Sequence, residues 1–439
     1  MKKLLVLGGI PVLVDIVKEA KEKGYYVIVT DYLQNSPAKR IADEAWMLSI
    51  DDVDGIVKKC REEQVDGVMN YCLDPGQKPY QQICERLNIP CVASFEQFDI
   101  MTNKDKFTAT CKQYGVGVIP EYRYPEDLDK IEYPVMVKPV DSRASKGLYV
   151  CYEAGDLQHA VDYALSFSKR KTIRIEKFLH CPEICAKYFA VDGEIFFTTM
   201  ADVFTCYEED GTRVYLGTQT YPSRYYDEYL KTTHEKVVNM LRGIGFKNGA
   251  TSFTGFYDNG TFRFFDPSLR MGGAMDWKIA EAASGIDISK CLTNFAMTGS
   301  MGDVNEICQI DKAFSKRYAA LLYFDVRPGT IGCFSGVEEA LKVPGVFSYH
   351  QNHHVGDCIE SYGTANNVAI RFIVSCESRE RFVKTVKQIQ SKIEIKNTQG
   401  ENMITPMFDP ELIGGGYNCL SNRHTVMIFD LQWIGGMAA

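Results

Sequence analysis

The sequence lacks several features that would place it in a specialised class of protein. It has no apolar run close to the roughly 20 residues that a membrane-spanning helix requires, and it has no low-complexity tract. Its 15 cysteines include no C-x-x-C pair, which argues against a zinc site or a disulfide framework and predicts reduced thiols in a cytoplasmic protein. The net charge of -8 argues against nucleic acid or an anionic membrane as the main partner.

The glycine motif of a dinucleotide site is also missing. The apolar residues after Lys3 break at Gly8-Gly9, which favours a first β-strand over a secretory leader, and Asp31 follows the second predicted strand. The pattern is G-G-I-P-V rather than G-x-G-x-x-G, and Pro11 removes an amide that would face a pyrophosphate. We therefore favour a Rossmann-like domain with other chemistry, and an NAD(P)-dependent dehydrogenase remains as an alternative.

The 439 residues are too many for one core, so two or three domains are expected. Strands and helices alternate over residues 1–93, which predicts a parallel sheet with crossover helices. An amphipathic helix is predicted over Asp227–Ile244. From about Met301 the pattern changes and predicts an α+β module of mainly antiparallel strands.

Two β-hairpins are predicted between these regions. One pairs residues 186–191 with 194–200 around the turn Asp192-Gly193. The other pairs residues 250–257 with 261–265 around Asp258-Asn259-Gly260. Both turns have the composition that tight hairpins favour.

The stretch Pro134–Lys146 has the clearest chemical character. A short apolar strand leads to Lys138, a loop of small, polar and basic residues follows, and a second strand begins at Leu148. Such a lysine and loop can hold a polyphosphate, because the ammonium supplies charge and the loop supplies backbone N–H donors. The spacing of a Walker A loop is absent. Taken alone, the stretch is equally compatible with a β-hairpin that has a basic turn.

Further motifs accompany this stretch in a fixed order. Lys104 opens a predicted helix in T-N-K-D-K-F, where the bland interpretation is a solvated helix residue. A strand at residues 172–175 leads into Glu176-Lys177-Phe178-Leu179. The second hairpin ends in Asp266-Pro267-Ser268-Leu269-Arg270.

This order of motifs resembles the ATP-grasp superfamily, and the region after residue 300 resembles the closing domain of its carboxylate–amine ligase branch. The resemblance implies a mixed α/β and α+β fold class. It implies a Rossmann-like domain at residues 1–93 and an ATP-grasp nucleotide-binding domain at 94–300, with a mobile lid at about 134–185. A C-terminal α+β closing domain would follow at 301–439.

The resemblance also implies that ATP binds between the lid and the rest of the ATP-grasp domain. Lys104 and Lys138 would contact the phosphates, and the loop with Ser145 and Lys146 would close over the terminal phosphate. The adenine would lie against the segment from Glu176 to Leu179, with backbone contacts at Lys177 and Leu179. Glu183 would accept hydrogen bonds from the ribose hydroxyls.

Magnesium is the implied metal, and Asp266 and Ser268 are its implied ligands. The family pattern has glutamate and asparagine at these two positions and a further acid near Thr254, where this sequence has none. The departure leaves the metal stoichiometry open, although oxygen ligands are the type that Mg²⁺ prefers. Arg270 would hold the acyl phosphate or the substrate carboxylate.

The leading hypothesis is an ATP-dependent ligase that joins a carboxylate to an amine or related nucleophile through an acyl phosphate, with Lys138 and Arg270 as catalytic residues. The partners would then be small molecules, and a homodimer is compatible with the resemblance. The alternative is a non-catalytic ATP-binding relative with a degenerate magnesium site. The sequence does not identify the two substrates.

Overall fold

The computed structural model describes residues 1–140, 147–179, 181–205, 217–311, 317–360 and 365–414. Within these residues the strands form four sheets. None of the described helices has the length and apolar character needed to cross a membrane. All 13 cysteines in the described residues are free thiols.

The N-terminal region is a parallel sheet with the strand order β3-β2-β1-β4. The central strands are continuously apolar and fully buried because helices cover the sheet, as the strand–helix alternation predicts. The elements of this region are β1 Lys3–Leu7, α1 Leu13–Glu22, β2 Tyr26–Thr30, β3 Glu44–Trp46, α2 Val53–Glu63, β4 Gly67–Met69 and α3 Gln77–Leu87.

A small antiparallel sheet follows, with the order β5-β8-β6-β7. Its inner face and one helix share a separate core that includes Val135, Val137 and Ile175. We call β5 to β8 the small sheet; it begins earlier than residue 134, because β5 is part of it. The elements are α4 Phe95–Thr102, α5 Lys104–Gln113, β5 Glu121–Tyr122, β6 Val135–Pro139, β7 Tyr149–Cys151, α6 Leu157–Phe167 and β8 Ile173–Lys177.

The remaining strands form a large sheet of eight strands and a three-stranded sheet beside it. The elements are β9 Glu183–Val191, β10 Glu194–Phe204, β11 Thr218–Tyr221, α7 Tyr226–Thr232, α8 His234–Gly243, β12 Gly249–Asp258, β13 Thr261–Ser268, α9 Trp277–Ser284, α10 Ile288–Thr298, α11 Val304–Ile307, β14 Tyr318–Asp325, β15 Gly329–Ser335, α12 Val337–Leu341, β16 Val346–Gln351, β17 Cys358–Ile359, β18 Val368–Cys376, α13 Arg379–Gln390 and β19 Glu394–Asn397.

The large sheet has the order β13-β12-β9-β10-β11-β14-β18-β16. Both predicted hairpins are present in it, as β9 with β10 and as β12 with β13. The sheet also continues from β11 to β14, where Gln219 lies opposite Leu321. It therefore crosses the predicted domain boundary at residue 300, and the division of the chain into domains stays a prediction.

The single helix predicted over Asp227–Ile244 is wrong in one respect. The structure has two helices there, α7 and α8, which meet at Thr233. The backbone of Thr233 has φ −132° and ψ −37°, outside the helical region. The periodicity of the apolar residues is compatible with both arrangements, so it did not reveal the break.

Candidate active site

Lys138 and Glu176 lie on neighbouring strands of the small sheet and bind each other. The Lys138 ammonium donates to Oε2 of Glu176, and both side chains are mostly buried. Burial lowers the pKa of Lys138, although the nearby Glu176 carboxylate acts in the opposite direction. Lys138 and Glu176, both of which were predicted to contact a nucleotide, are therefore paired with each other.

Arg174 extends this pair into a network that the sequence did not indicate. Its guanidinium contacts Oε1 of Glu176 at 3.7 Å and Oε1 of Glu121 at 3.0 Å. It also donates to the carboxylate of Asp105, on the first turn of α5. Arg174 thus connects the small sheet to α5. The one signal for this role in the sequence was its position two residues before Glu176.

Lys104 is the first residue of α5, after the N-cap Asn103. The Asn103 side chain accepts from the N–H of Asp105 at 3.0 Å and from that of Lys106 at 3.2 Å. The positive end of the helix dipole therefore lies beside Lys104. The Lys104 charge contributes to the lowered pKa of Lys138, and it opposes the rise in the pKa of Asp266.

Two backbone amides at the end of β8, where adenine is predicted to lie, are bonded within the protein. The Lys177 N–H donates to Pro120 O at 2.8 Å, and the Phe178 N–H donates to Pro134 O at 3.0 Å. These two amides are therefore committed within the protein, so Lys177 does not have a free N–H for adenine. The contacts of Leu179 and of the Lys177 carbonyl with adenine stay predictions.

Three further residues were predicted to contact the nucleotide, and the structure describes one of them. Glu183 begins β9 and lies opposite Val203 and Phe256 in the large sheet. Ser145 and Lys146 lie outside the described residues.

The first turn of the N-terminal sheet is internally bonded. The Gly9 N–H donates to Oδ2 of Asp31 at 2.7 Å, and the Leu33 N–H donates to Oδ1 of the same carboxylate at 2.7 Å. An amide that a dinucleotide pyrophosphate would need is thus already used. This geometry argues against the dehydrogenase alternative.

Asp266 and Ser268 lie on β13, opposite Thr254 and Ser252 of β12. Loss of hydration raises the pKa of the Asp266 carboxyl, and the negative charge of Asp74 raises it further. The positive charges of Lys104 and Arg270 oppose both effects. The Ser268 Oγ is buried and has no hydrogen-bond partner in the described protein.

This arrangement offers a magnesium ion two oxygen donors from the protein. No group of three or more His, Cys, Asp or Glu side chains that could hold a metal occurs in the described part of the chain. The unpartnered Ser268 hydroxyl and the accessible Asp266 carboxylate fit an ion that takes its other ligands from phosphate oxygens and water.

Arg270 makes a bidentate pair with Asp74 at the edge of the N-terminal sheet. Its Nε donates to Oδ1 at 2.7 Å and its Nη2 donates to Oδ2 at 2.5 Å. The Asp74 side chain is 59% exposed, whereas that of Arg270 is only 16% exposed. Sequence reasoning missed Asp74, although its place just after a buried parallel strand is one where ligands often bind.

A buried ion pair lies beneath this edge. The Lys187 ammonium is 2.7 Å from Oδ2 of Asp276 and donates to the Tyr221 hydroxyl at 2.9 Å. A cavity of about 20 Å³ adjoins the pair and also touches Arg270. Gly272 lines the same cavity, where a β-carbon would lie 2.0 Å from Oδ1 of Asp276. The turn after Arg270 therefore needs glycine at this position.

Comparisons with known proteins bear on the fold that holds these residues. The family described as "D-ala D-ala ligase C-terminus" matches residues 121–204. Phosphoribosylglycinamide synthetase from Anaerococcus prevotii superposes with a TM-score of 0.75 at 20% identity, over 90% of this chain and 100% of that one. L-amino acid ligase from Bacillus licheniformis gives 0.72 at 21% identity, over 91% and 99%.

The chain has the ATP-grasp fold. Among curated proteins, the formate-dependent phosphoribosylglycinamide formyltransferase of Bacteroides fragilis is 27% identical over 189 residues, which are 41% of this chain and 48% of that protein. The protein of the same name from Prochlorococcus marinus is 27% identical over 188 residues, with the same two shares. The chain thus spans about half the length of these curated relatives.

The Lys187–Asp276 pair yields a prediction about stability. Lys187→Met leaves the Asp276 carboxylate buried without its cation, so we expect the free energy of unfolding to fall by about 3–5 kcal/mol. The double variant Lys187→Met/Asp276→Leu should recover much of this loss, because it buries no unpaired charge. Urea unfolding measures both, and equal losses in the two variants would contradict the assignment.

The Arg174 network yields a second prediction. Arg174→Gln removes the cation that ties the small sheet to α5, and should lower the free energy of unfolding by about 1–3 kcal/mol. Hydrogen–deuterium exchange should accelerate in β5, β6 and β8 ahead of the large sheet. Arg123→Gln is the matched control, because it breaks the pair of Arg123 with Asp127 on the surface. Exchange that is unchanged in Arg174→Gln, or that is equally fast in both variants, would refute the role of Arg174.

Proposed function

We propose that this chain is an ATP-dependent ligase that joins a carboxylate to an amine or a related nucleophile. The observation that supports this most is that Lys104, the first residue of α5, acts electrostatically on both Lys138 and Asp266, and that Arg270 also acts on Asp266. Phosphoryl transfer needs this combination of cations and oxygen ligands, because the transferring group carries dispersed negative charge. The relatives are named as a formyltransferase, a synthetase and a ligase, which is consistent with a group-joining reaction.

The proposed reaction has two steps. A carboxylate oxygen of the acid attacks the γ-phosphorus of ATP, and the bond from that phosphorus to the bridging oxygen breaks, which releases ADP and leaves an acyl phosphate. The amine nitrogen then attacks the acyl carbon, loses a proton, and expels inorganic phosphate. The protein contributes mainly position and charge neutralisation, and a closed site keeps water from the acyl phosphate.

The residues predicted to bind phosphate, metal and acid have the following places in this proposal. Lys104 and Lys138 would bind phosphate oxygens, and Lys138 would leave Glu176 to do so. Asp266 and Ser268 would hold a magnesium ion, which neutralises phosphate charge when it is bound. Arg270 would hold the acid or the acyl phosphate after exchanging Asp74 for it.

The free thiols of the described cysteines also support our inference that the protein works in a reducing compartment such as the cytoplasm. A crystal structure of the biotin carboxylase domain of the Hydrogenobacter thermophilus 2-oxoglutarate carboxylase describes a dimer with MgADP. For the present chain, a homodimer stays a proposal.

Two observations favour a second candidate, a non-catalytic ATP-binding protein. Thr254 stands where the family pattern has a further metal-binding acid, and its hydroxyl lies 3.9 Å from Cys185 Sγ. The Arg270 guanidinium, which would hold the acid, is also already bound to Asp74. Both features would weaken catalysis more than they would weaken nucleotide binding.

The ligase proposal predicts acid-dependent ADP release. With MgATP, ammonia or a simple amine, and a panel of carboxylic acids, we expect ADP formation above the acid-free rate. Lys138→Met should lower this rate by at least about 100-fold, because it removes charge that stabilises the transferring phosphoryl group. Lys169→Met, at an exposed lysine after α6, is the control and should keep the rate. No acid-dependent ADP from any member of the panel would argue against the ligase.

Asp266 separates the ligase from the non-catalytic candidate. In the ligase, calorimetry should show ATP binding that strengthens with Mg²⁺, and Asp266→Asn should remove that dependence and lower turnover by at least about 100-fold. In the non-catalytic protein, ATP binds equally well with EDTA, and Asp266→Asn changes nothing. Asp258→Asn, at the last residue of β12, controls for loss of a nearby carboxylate.

A further inference from the structure

A row of polar side chains crosses one face of the large sheet, apart from the nucleotide residues. Tyr323 on β14 lies directly opposite Arg371 on β18, and His350 on β16 lies opposite Arg371 on the other side. The three residues are only 5%, 7% and 8% exposed. Three adjacent polar side chains on a buried sheet face are unusual and call for partners.

Arg371 has fewer partners than a buried guanidinium requires. Its Nη1 donates to Gly273 O at 3.1 Å, and its guanidinium lies 5.8 Å from the centre of the Tyr323 ring. Its Nε is buried without a hydrogen-bond partner, and the described residues supply it with no salt bridge. A buried cation without a counter-ion costs several kcal/mol, so an anion would stabilise this position.

The neighbours of Arg371 are unsatisfied in the same way. The Tyr323 hydroxyl, Oδ1 of Asp325 and Nε2 of His350 are each buried without a hydrogen-bond partner in the described protein. Burial raises the pKa of Tyr323 to about 12, so its hydroxyl keeps its proton and can donate. Together with Arg371, the row offers two donors to one incoming group.

The titratable groups around Arg371 do not neutralise the positive charge of its guanidinium. Burial raises the pKa of Asp325 to about 7, with Arg371 opposing the shift, so this carboxyl is only partly ionised near neutral pH. Burial and then Arg371 lower the pKa of His350 to about 4, so the imidazole is neutral. Arg371 therefore has a partly ionised carboxyl and a neutral imidazole as neighbours, and neither pairs with its guanidinium in the described residues.

The row lies next to the site at the end of β13. Gly273, which accepts from Arg371, is in the turn that begins at Arg270. Burial raises the pKa of the Cys72 thiol to about 12, and the charges of Arg270 and Arg371 both act to lower it. The charges of both guanidinium groups therefore reach Cys72, which follows β4.

We propose that Arg371 and Tyr323 form a subsite for a second oxyanion, carboxylate or phosphate, on the acid substrate of the proposed ligase. Arg270 would hold the carboxylate that reacts, and Arg371 the anionic group that does not. The substrate class is then a small dianionic acid. This proposal rests on the proposed function for the reaction, but the binding of the dianion is testable without it.

The test compares acids that differ in their second group. Succinate and glutarate carry two carboxylates, 3-phosphonopropionate carries a carboxylate and a phosphonate, and butyrate carries one carboxylate. Calorimetry without ATP should show at least one dianion binding more tightly than butyrate. The preferred dianion distinguishes a carboxylate subsite from a phosphate subsite.

Variants then assign the effect to the row. Arg371→Met should weaken binding of that dianion by about 10-fold or more, because a charge-assisted bidentate contact is lost. Tyr323→Phe keeps the ring and should weaken it by about 3- to 10-fold with unchanged thermal stability, since the hydroxyl has no partner to lose. Arg317→Met is the matched control, because Arg317 lies just before β14 and donates to Ser375 of β18, and it should bind like the wild type.

The outcomes separate this proposal from the proposed function. Dianions that bind no better than butyrate, or that bind Arg371→Met and Tyr323→Phe as tightly as the wild type, would overturn the subsite. If acids stimulate ADP release while Arg371→Met keeps the wild-type KM, the ligase stands and the subsite is wrong. If Arg371-dependent dianion binding occurs without ADP release, the subsite stands and the ligase is wrong.

Discussion

The contacts between the residues after β13 and those after β4, here called the clamp, hold the candidate site residues in position. Arg270 is held by two hydrogen bonds to Asp74, and the next residue, Met271, donates its N–H to Tyr71 O at 3.0 Å. These contacts join the large sheet to the parallel N-terminal sheet at the edge where the latter's strands end. Asp266, Ser268 and the turn at Gly273 belong to the same short segment, residues 266–273, so these contacts also hold them in position.

The cations around this clamp are balanced by carboxylates that belong to the protein. Lys138 binds Glu176, Arg174 binds Asp105, Glu121 and Glu176, and Arg270 binds Asp74. A cleft made for a polyanion would otherwise repel itself and hold desolvated charge at high cost. In the proposed function, an incoming polyphosphate would exchange one set of ion pairs for another, which would favour groups that satisfy several cations together.

The sequence predicted best what is local. The hairpins β9–β10 and β12–β13 were recognisable because alternating apolar residues flank turns such as Asp192-Gly193. The parallel N-terminal sheet followed from strand–helix alternation. The break at Thr233 was not recognisable, because apolar residues on both sides keep the period of one helix.

The site was predictable only in part, for the same reason. Lys104, Lys138, Asp266 and Arg270 stand in ordered motifs, so a resemblance could identify them. Asp74 meets Arg270 from 196 residues away, and Arg371 meets Tyr323 only through the register of β14 and β18. Such contacts depend on tertiary pairing, which no local pattern encodes.

The two arginines near Cys72 differ in a way that bears on specificity. Arg270 is paired with a carboxylate that is mostly in water, and breaking such a pair costs little because solvent receives the released anion. Arg371 is buried without a counter-ion, so a ligand that reaches it gains the attraction without displacing any protein group. The Arg270–Asp74 pair allows one anion to replace another during a reaction cycle. The unpaired Arg371 favours an anionic group that remains bound throughout. A substrate with one anion to be consumed and one to be retained matches both arrangements, which is why the pair of arginines points to a dianionic acid more strongly than either does alone.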